Sequence, residues 1–198
     1  MSCSILCLGD SLTYGYGVPA GACWIRLTAH RTGLHLRNHG LCGDTLNGML
    51  RRLPDALSEH PEACLVIGGT NDIFSGHDPD RSAVCQIVSA CRNAGVQPLL
   101  GTPPPMDWVH LAPQWAAFTD RRSSTMLTEY VQWLRRYAAD EQLPLADIYA
   151  VLTKKENFDA LFTDGVHLSA LGNQTVADTV CQLLSAINLY KIDKKSSH

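Results

Sequence analysis

Four short blocks of this sequence set hydroxyl, imidazole, carboxylate and amide groups beside glycines. They are Gly9-Asp10-Ser11-Leu12, Asn38-His39-Gly40-Leu41-Cys42-Gly43-Asp44-Thr45, Gly69-Thr70-Asn71-Asp72 and Asp164-Gly165-Val166-His167. A serine hydroxyl is a useful nucleophile only when a base takes its proton, and histidine, titrating near neutrality, suits that task. A carboxylate on the other ring nitrogen then fixes the tautomer and stabilises the imidazolium. Ser11, His167 and Asp164 supply one residue for each role. Attack on an ester carbonyl also creates an oxyanion, which donors already in place must meet. The backbone N–H groups of Ser11 and Gly43 and the side-chain amide of Asn71 are the candidates.

Each block alone is weak evidence. The first is also an ordinary strand exit, and Gly-x-Asn-Asp also closes an Asx-turn. Asp-x-x-His occurs twice, at Asp164/His167 and at Asp107-Trp108-Val109-His110, so spacing alone leaves two histidines in contention. The blocks share one property: each lies after a segment with the character of a buried strand, or opens a late helix.

Strand-length apolar runs fall at residues 4–8, 35–39, 63–67, 96–100 and 144–148, with Pro98 weakening the fourth. Between them apolar residues recur at helical spacing. Leu46, Met49, Leu50 and Leu53 follow a cap at Asp44 or Thr45, and Val84, Ile87, Val88 and Cys91 repeat the pattern. Met126, Leu127, Tyr130, Val131, Leu134 and Tyr137 form a longer stripe. Val176, Val180, Leu183, Leu184 and Ile187 form the last, behind a cap at Ser169. Strand–helix alternation of this kind predicts an α/β fold, a parallel sheet with helices on both faces, whose ligands bind beyond the carboxyl ends of the strands. Residues 102–117 are the least regular connection. There Met106, Trp108, Trp115 and three prolines either wall an acyl-binding cleft or pin the loop to the core. Tyr14, Trp108 and His110 are the expected substrate contacts, with Tyr16 beside the nucleophile loop.

With 198 residues, 45% of them hydrophobic, the chain reads as one packed domain (residues 1–190) and a polar tail (residues 191–198). A net charge of -3 gives no basic footprint for nucleic acid. No apolar run approaches the ~20 residues of a membrane-spanning helix, and Met1 is followed by no signal-peptide pattern, so a cytoplasmic protein is expected. The eight cysteines suggest neither a disulfide framework nor a zinc site. They read as small buried hydrophobes in a reducing compartment, Cys42 included, and neither metal nor cofactor is expected. Oligomeric state leaves no trace in the sequence.

In this order, and over nearly the whole chain, the four blocks resemble those of the SGNH (GDSL) hydrolase family. The resemblance implies a three-layer α/β/α sandwich around a flavodoxin-like five-stranded parallel sheet. It implies Ser11 as nucleophile, Asp164 and His167 as its triad partners, and an oxyanion hole of Ser11, Gly43 and Asn71. Asp10 would help hold the nucleophile turn. The resemblance favours His167 over His110, because Leu168-Ser169-Ala170-Leu171-Gly172 follows His167 as the family pattern has it. Length and block spacing are most similar to the thioesterase, arylesterase and lysophospholipase branch, which often carries Ser where Cys42 stands. The expected function is therefore a serine esterase cleaving carboxylic esters or thioesters through an acyl-enzyme intermediate. An acyltransferase on the same triad is an alternative. A flavodoxin-like phosphate or nucleotide binder, using the loop at residues 9–17, is another. Against that last reading, the loop is expected to run through Val18-Pro19-Ala20-Gly21 rather than enter a helix directly.

Overall fold

In the computed structural model, which describes residues 4–189, β1 (Ser4–Gly9) is buried along its whole length. It is hydrogen-bonded in parallel to β2 (His35–Gly40) on one side and to β3 (Ala63–Ile67) on the other. β4 (Gln97–Gly101) and β5 (Leu145–Ala146) complete a five-stranded parallel sheet in the order β2-β1-β3-β4-β5. That is the flavodoxin-like order, which reverses direction about β1 and β3 and so opens a crevice at their carboxyl ends.

Alternate residues of the central strands feed two separate cores. Ile5, Cys7, Leu65 and Ile67 point to one face, where they meet Trp24 and Ile25 of α2 (Trp24–Thr32) and Val176, Val180 and Leu184 of α9 (Ala170–Ala186). Leu6, Leu8, Cys64 and Val66 point to the other. There they meet Leu46, Met49 and Leu53 of α3 (Leu46–Leu57), Val84 and Ile87 of α5 (Arg81–Asn93), and Tyr130 and Leu134 of α7 (Ser123–Asp140). The near-continuous apolar runs read from the sequence follow from this two-sided burial. Thr45 caps α3 by accepting the Gly48 N–H, and Ser169 caps α9 by accepting that of Gly172.

Three elements differ from expectation. The run at 144–148 keeps only Leu145–Ala146 as strand, because Asp147 accepts the Ala150 N–H and starts α8 (Ile148–Thr153). The chain after β1 does enter a helix at once: Asp10 caps a single turn, α1 (Ser11–Tyr14), which the left-handed Gly15 ends. Residues 102–117 finish in another single turn, α6 (Pro113–Ala116). One more turn, α4 (Thr70–Phe74), follows β3. The expected tail at 191–198 and Cys3 lie outside the described residues. Among the described residues no helix is long and apolar enough to cross a membrane.

Candidate active site

Ser11 begins α1 at the exit of β1, and the Asp10 carboxylate accepts the Leu12 N–H at 2.9 Å to hold that turn. Gly9 has no room for a side chain, since a Cβ there would lie 2.1 Å from Thr13 Oγ1 and 2.7 Å from the Ile67 carbonyl. The sharp exit therefore sets the direction of Ser11. His167 Nε2 stands 3.1 Å from Ser11 Oγ, although 156 residues separate them. Its Nδ1 is 2.8 Å from Asp164 Oδ2.

The Asp164 turn is self-supporting. Oδ1 accepts the backbone N–H of Val166 (3.0 Å) and of His167 (2.7 Å), and Oδ2 also accepts the Trp115 indole N–H at 2.7 Å. Burial pushes the Asp164 carboxyl up, but the His167 ring, the His167 N–H, Trp115 and the Val166 N–H together hold it below the usual range. The imidazole touches two aromatic rings, Tyr16 at 4.5 Å and Trp115 at 5.2 Å between centroids. Phe74 stacks on Trp115, 5.7 Å between centroids.

Gly43 has φ +77°, a conformation that glycine adopts without strain, in the loop after β2. That loop is tied to its neighbours from two directions. Arg52 of α3 donates from Nε to Asp44 Oδ2 (2.7 Å) and from Nη2 to the Gly9 carbonyl (2.9 Å). The Asn71 amide donates to the Asp44 carbonyl at 2.9 Å, and Asp72 Oδ2 accepts the Leu46 N–H at 3.1 Å. The exits of β1, β2 and β3, which carry Ser11, Gly43 and Asn71, are thus cross-linked by side chains. Burial pushes the Asp10 carboxyl up to about 7 against the pull of the Leu12 N–H, and the charges of Asp44 and Asp72 add to the rise.

The rival pair is built alike but stands elsewhere. Asp107 Oδ1 accepts the N–H groups of Val109 and His110, and Oδ2 lies 2.8 Å from His110 Nδ1. The two turns touch, since Asp107 N–H donates to the Gly165 carbonyl and Ala112 N–H to that of Asp164. Only His167 meets a serine, however, and the His110 side chain is 65% exposed. Pro103, Pro104, Pro105 and Met106 are buried, and Trp108 packs against the cluster formed by Ile73, Met106, Met126, Leu127 and Val131. That part of the loop is pinned to the core rather than left as an open wall. Tyr14 is exposed beside Asn38, which donates to its carbonyl. Cys42 is exposed, so it does not pack in the core as expected, and the slight desolvation it does feel, with the charge of nearby Asp10, raises its thiol.

Sequence reasoning missed Arg52 altogether and took Trp115 for a cleft wall or a pin to the core, not for a donor to Asp164. Arg52 borders the buried stripe of α3, but its partner Gly9 is 43 residues away. Helical spacing carries no signal of such a contact.

A flavodoxin-like parallel sheet here brings a serine, a histidine and an aspartate together at its carboxyl edge, where ligands of such sheets bind. The profile of the GDSL-like Lipase/Acylhydrolase family matches residues 7–175, and the chain belongs to that family. It is 27% identical over 188 residues to an arylesterase of Vibrio mimicus, spanning 91% of this chain and 87% of the relative. A thioesterase 1/protease 1/lysophospholipase L1 of Escherichia coli (strain K12) is 35% identical over 102 residues, 49% of each chain. The fold is shared with a solved G-D-S-L family lipolytic protein of Veillonella parvula (TM-score 0.79, 21% identity, 93% of this chain and 99% of that one). The same holds for the native M. smegmatis aryl esterase (TM-score 0.77, 19% identity, 93% and 99%). The protein is an ester-bond hydrolase of this family.

Proposed function

We propose that the chain hydrolyses carboxylic esters or thioesters with Ser11 as nucleophile, His167 as general base and acid, and Asp164 as orienter. The reading is carried by the unbroken relay from Ser11 Oγ to His167 Nε2 (3.1 Å) and from His167 Nδ1 to Asp164 (2.8 Å). His167 takes the hydroxyl proton as Ser11 Oγ bonds to the acyl carbon, and the carbonyl oxygen gains the negative charge. The N–H of Ser11, at the open first turn of α1, the N–H of Gly43, and the second amide proton of Asn71 meet that charge. Collapse expels the alcohol or thiol, which takes the proton from His167, and leaves an ester on Ser11. Water, deprotonated by the same imidazole, then frees the acid.

Tyr14, Trp108 and His110 remain proposed substrate contacts, and Trp115 and Tyr16 join them by lying against the reacting imidazole. The Asp10 carboxylate already fills the capping position of α1, which disfavours a phosphate there. A cytoplasmic location belongs to this proposal too, supported by thiols that pack as core hydrophobes at Cys7, Cys23, Cys64 and Cys91.

The test is hydrolysis of p-nitrophenyl acetate and butyrate by the wild type and Ser11→Ala. The expected result is a loss of at least ~1,000-fold in the variant. Equal rates would overturn the assignment. Product analysis with added alcohol separates hydrolysis from acyl transfer, and mass spectrometry of the quenched enzyme reads the acyl group on Ser11.

A further inference from the structure

The segment after β4 divides in two. Up to Asp107 it is buried, whereas from residue 109 to residue 122 no side chain is buried, and burial resumes at Ser123. Two aspartates mark the ends of this stretch. Asp107 Oδ1 accepts the N–H groups of Val109 and His110, and Asp120 Oδ1 accepts those of Arg122 (2.8 Å) and Ser123 (3.1 Å). Each end is therefore held by its own turn, whatever the residues between them do. Beneath the stretch, Ala117, Phe118 and Thr119 face Ile73 and Phe74 of α4 across a cavity of about 360 Å³.

What fastens the stretch is concentrated on the candidate active site. Among the described residues, the hydrogen bonds that tie residues 111–119 to other segments are two, and both end on Asp164. The Ala112 N–H donates to its carbonyl at 2.9 Å, and the Trp115 indole N–H to its Oδ2 at 2.7 Å. The ring contacts of Trp115 are with His167 and Phe74. A segment with no buried side chain and few outward bonds opens at low free-energy cost. Here the opening reaches the site. Swinging Trp115 away strips Asp164 Oδ2 of its indole donor and the imidazole of a ring neighbour, while the turns that carry Ser11 and Asp164 keep their own hydrogen bonds.

We propose that residues 111–122 form a lid, latched by Trp115 on Asp164, and that only the latched enzyme turns over substrate. The proposal rests on the serine-esterase reading of the same site. A group bound to Ser11 beside His167 gains Trp115 as a neighbour in the closed form only, and this difference between the two forms drives closure. By linkage, the group holds the lid shut by the same factor by which closure strengthens its binding. Arrival of substrate and alignment of Asp164 with His167 are then one event.

The experiment follows amide hydrogen exchange along the full chain, free and after complete reaction with ethyl p-nitrophenyl butylphosphonate. In that reaction Ser11 Oγ bonds to phosphorus, p-nitrophenolate leaves, and His167 takes the hydroxyl proton. In the free enzyme, residues 111–119 should exchange at least ~100-fold faster than α7. The adduct should slow them by about fivefold or more and leave α7 and the central strands unchanged. Trp115 is only half-buried, so Trp115→Ala keeps the fold, which a thermal melt checks. In that variant the segment should exchange faster than in wild type, and the adduct should no longer slow it. Its kcat on p-nitrophenyl acetate should fall at least about tenfold. Exchange of residues 111–119 as slow as that of α7, no slowing by the adduct, or slowing that survives Trp115→Ala overturns the proposal. A phosphonate that leaves Ser11 unmodified sinks the catalytic assignment instead. Faster exchange in Trp115→Ala then supports the latch by itself, and equal exchange overturns it.

Discussion

The Trp115 indole N–H and the His167 ring converge on one oxygen, Oδ2 of Asp164, at 2.7 and 2.8 Å. Trp115 also lies edge-on to the His167 ring, so one side chain holds both the proposed base and its proposed orienter. Trp115→Phe keeps an aromatic ring at the position but removes the donor. A hydrogen bond to a charged acceptor is worth ~1.5–3 kcal/mol, so kcat should fall about tenfold or more with KM nearly unchanged. Steady-state kinetics on p-nitrophenyl butyrate read the split. A change confined to KM would make Trp115 a substrate contact only.

Asp164 holds four donors, two of them backbone, and this makes Asp164→Asn informative. An asparagine can still accept from the Val166 and His167 N–H groups through Oδ1, so the turn survives. It cannot hold the imidazole with Nε2 free to accept the Ser11 proton. The expected loss is ~1,000- to 10,000-fold in kcat, with little change in thermal stability.

His110 offers the matching control. Burial pushes its partner Asp107 up, yet the His110 ring and N–H and the Val109 N–H draw that carboxyl below its usual range, as at Asp164. The two dyads differ in what faces Nε2. His167→Asn should remove at least ~1,000-fold of the turnover of a dissolved ester, and His110→Asn no more than about threefold. A loss at His110 comparable to that at His167 would give the second dyad a catalytic part.

The meeting of Ser11, His167 and Asp164, the proposed nucleophile, base and orienter, was legible because each stands in a local motif whose geometry is set within a few residues. Ser11 follows a strand ended by Gly9, and Asp164 positions His167 three residues on. The sheet was legible because two-sided burial leaves unbroken apolar runs, as at residues 63–67. The fifth strand was overread, since Leu145, Ala146 and Ile148 are apolar for different reasons. The first two pair with β4, and Ile148 is already helical. What stayed hidden depends on contacts between distant segments, such as Arg52 with the Gly9 carbonyl or Trp115 with Asp164. Exposure of Cys42 was equally invisible, because a loop residue's burial is set by whatever packs over it.

Arg52 bridges two strand exits, and its removal should reach both stability and catalysis. Asp44 is nearly buried and Arg52 about a quarter exposed. Arg52→Met strands the Asp44 carboxylate and an acceptor at Gly9, at a cost of about 2–3 kcal/mol after allowing for that exposure. For a chain of this size that lowers Tm by ~4–12 °C, and kcat should drop because the Gly43 loop loses its tether. Adding Asp44→Asn to Arg52→Met should restore part of the stability. A double variant no more stable than Arg52→Met would mean that the Gly9 contact, not the ion pair, carries the effect.

Asp10 predicts an unusual pH dependence. Its Oδ2 finds no hydrogen-bond partner among the described residues, and burial beside Asp44 and Asp72 lifts the carboxyl from 3.8 to about 7. A carboxyl raised in the folded state binds its proton more tightly there than in the unfolded chain. Its contribution to stability is therefore present at low pH, declines as pH rises from about 4 to 7, and is flat beyond. At ~1.4 kcal/mol per unit the full penalty is on the order of 4 kcal/mol. Asp10→Asn keeps an acceptor for the Leu12 N–H and has no charge to bury, so it should be more stable than wild type above neutrality, by about 1–3 kcal/mol. Thermal melts of both proteins between about pH 4.5 and 8.5 measure the gap, which should widen to about pH 7 and then hold constant. A gap that is level across that range would mean that Asp10 is already ionised in the folded protein near pH 4, with its charge held by Arg52 or solvent rather than lost to a proton.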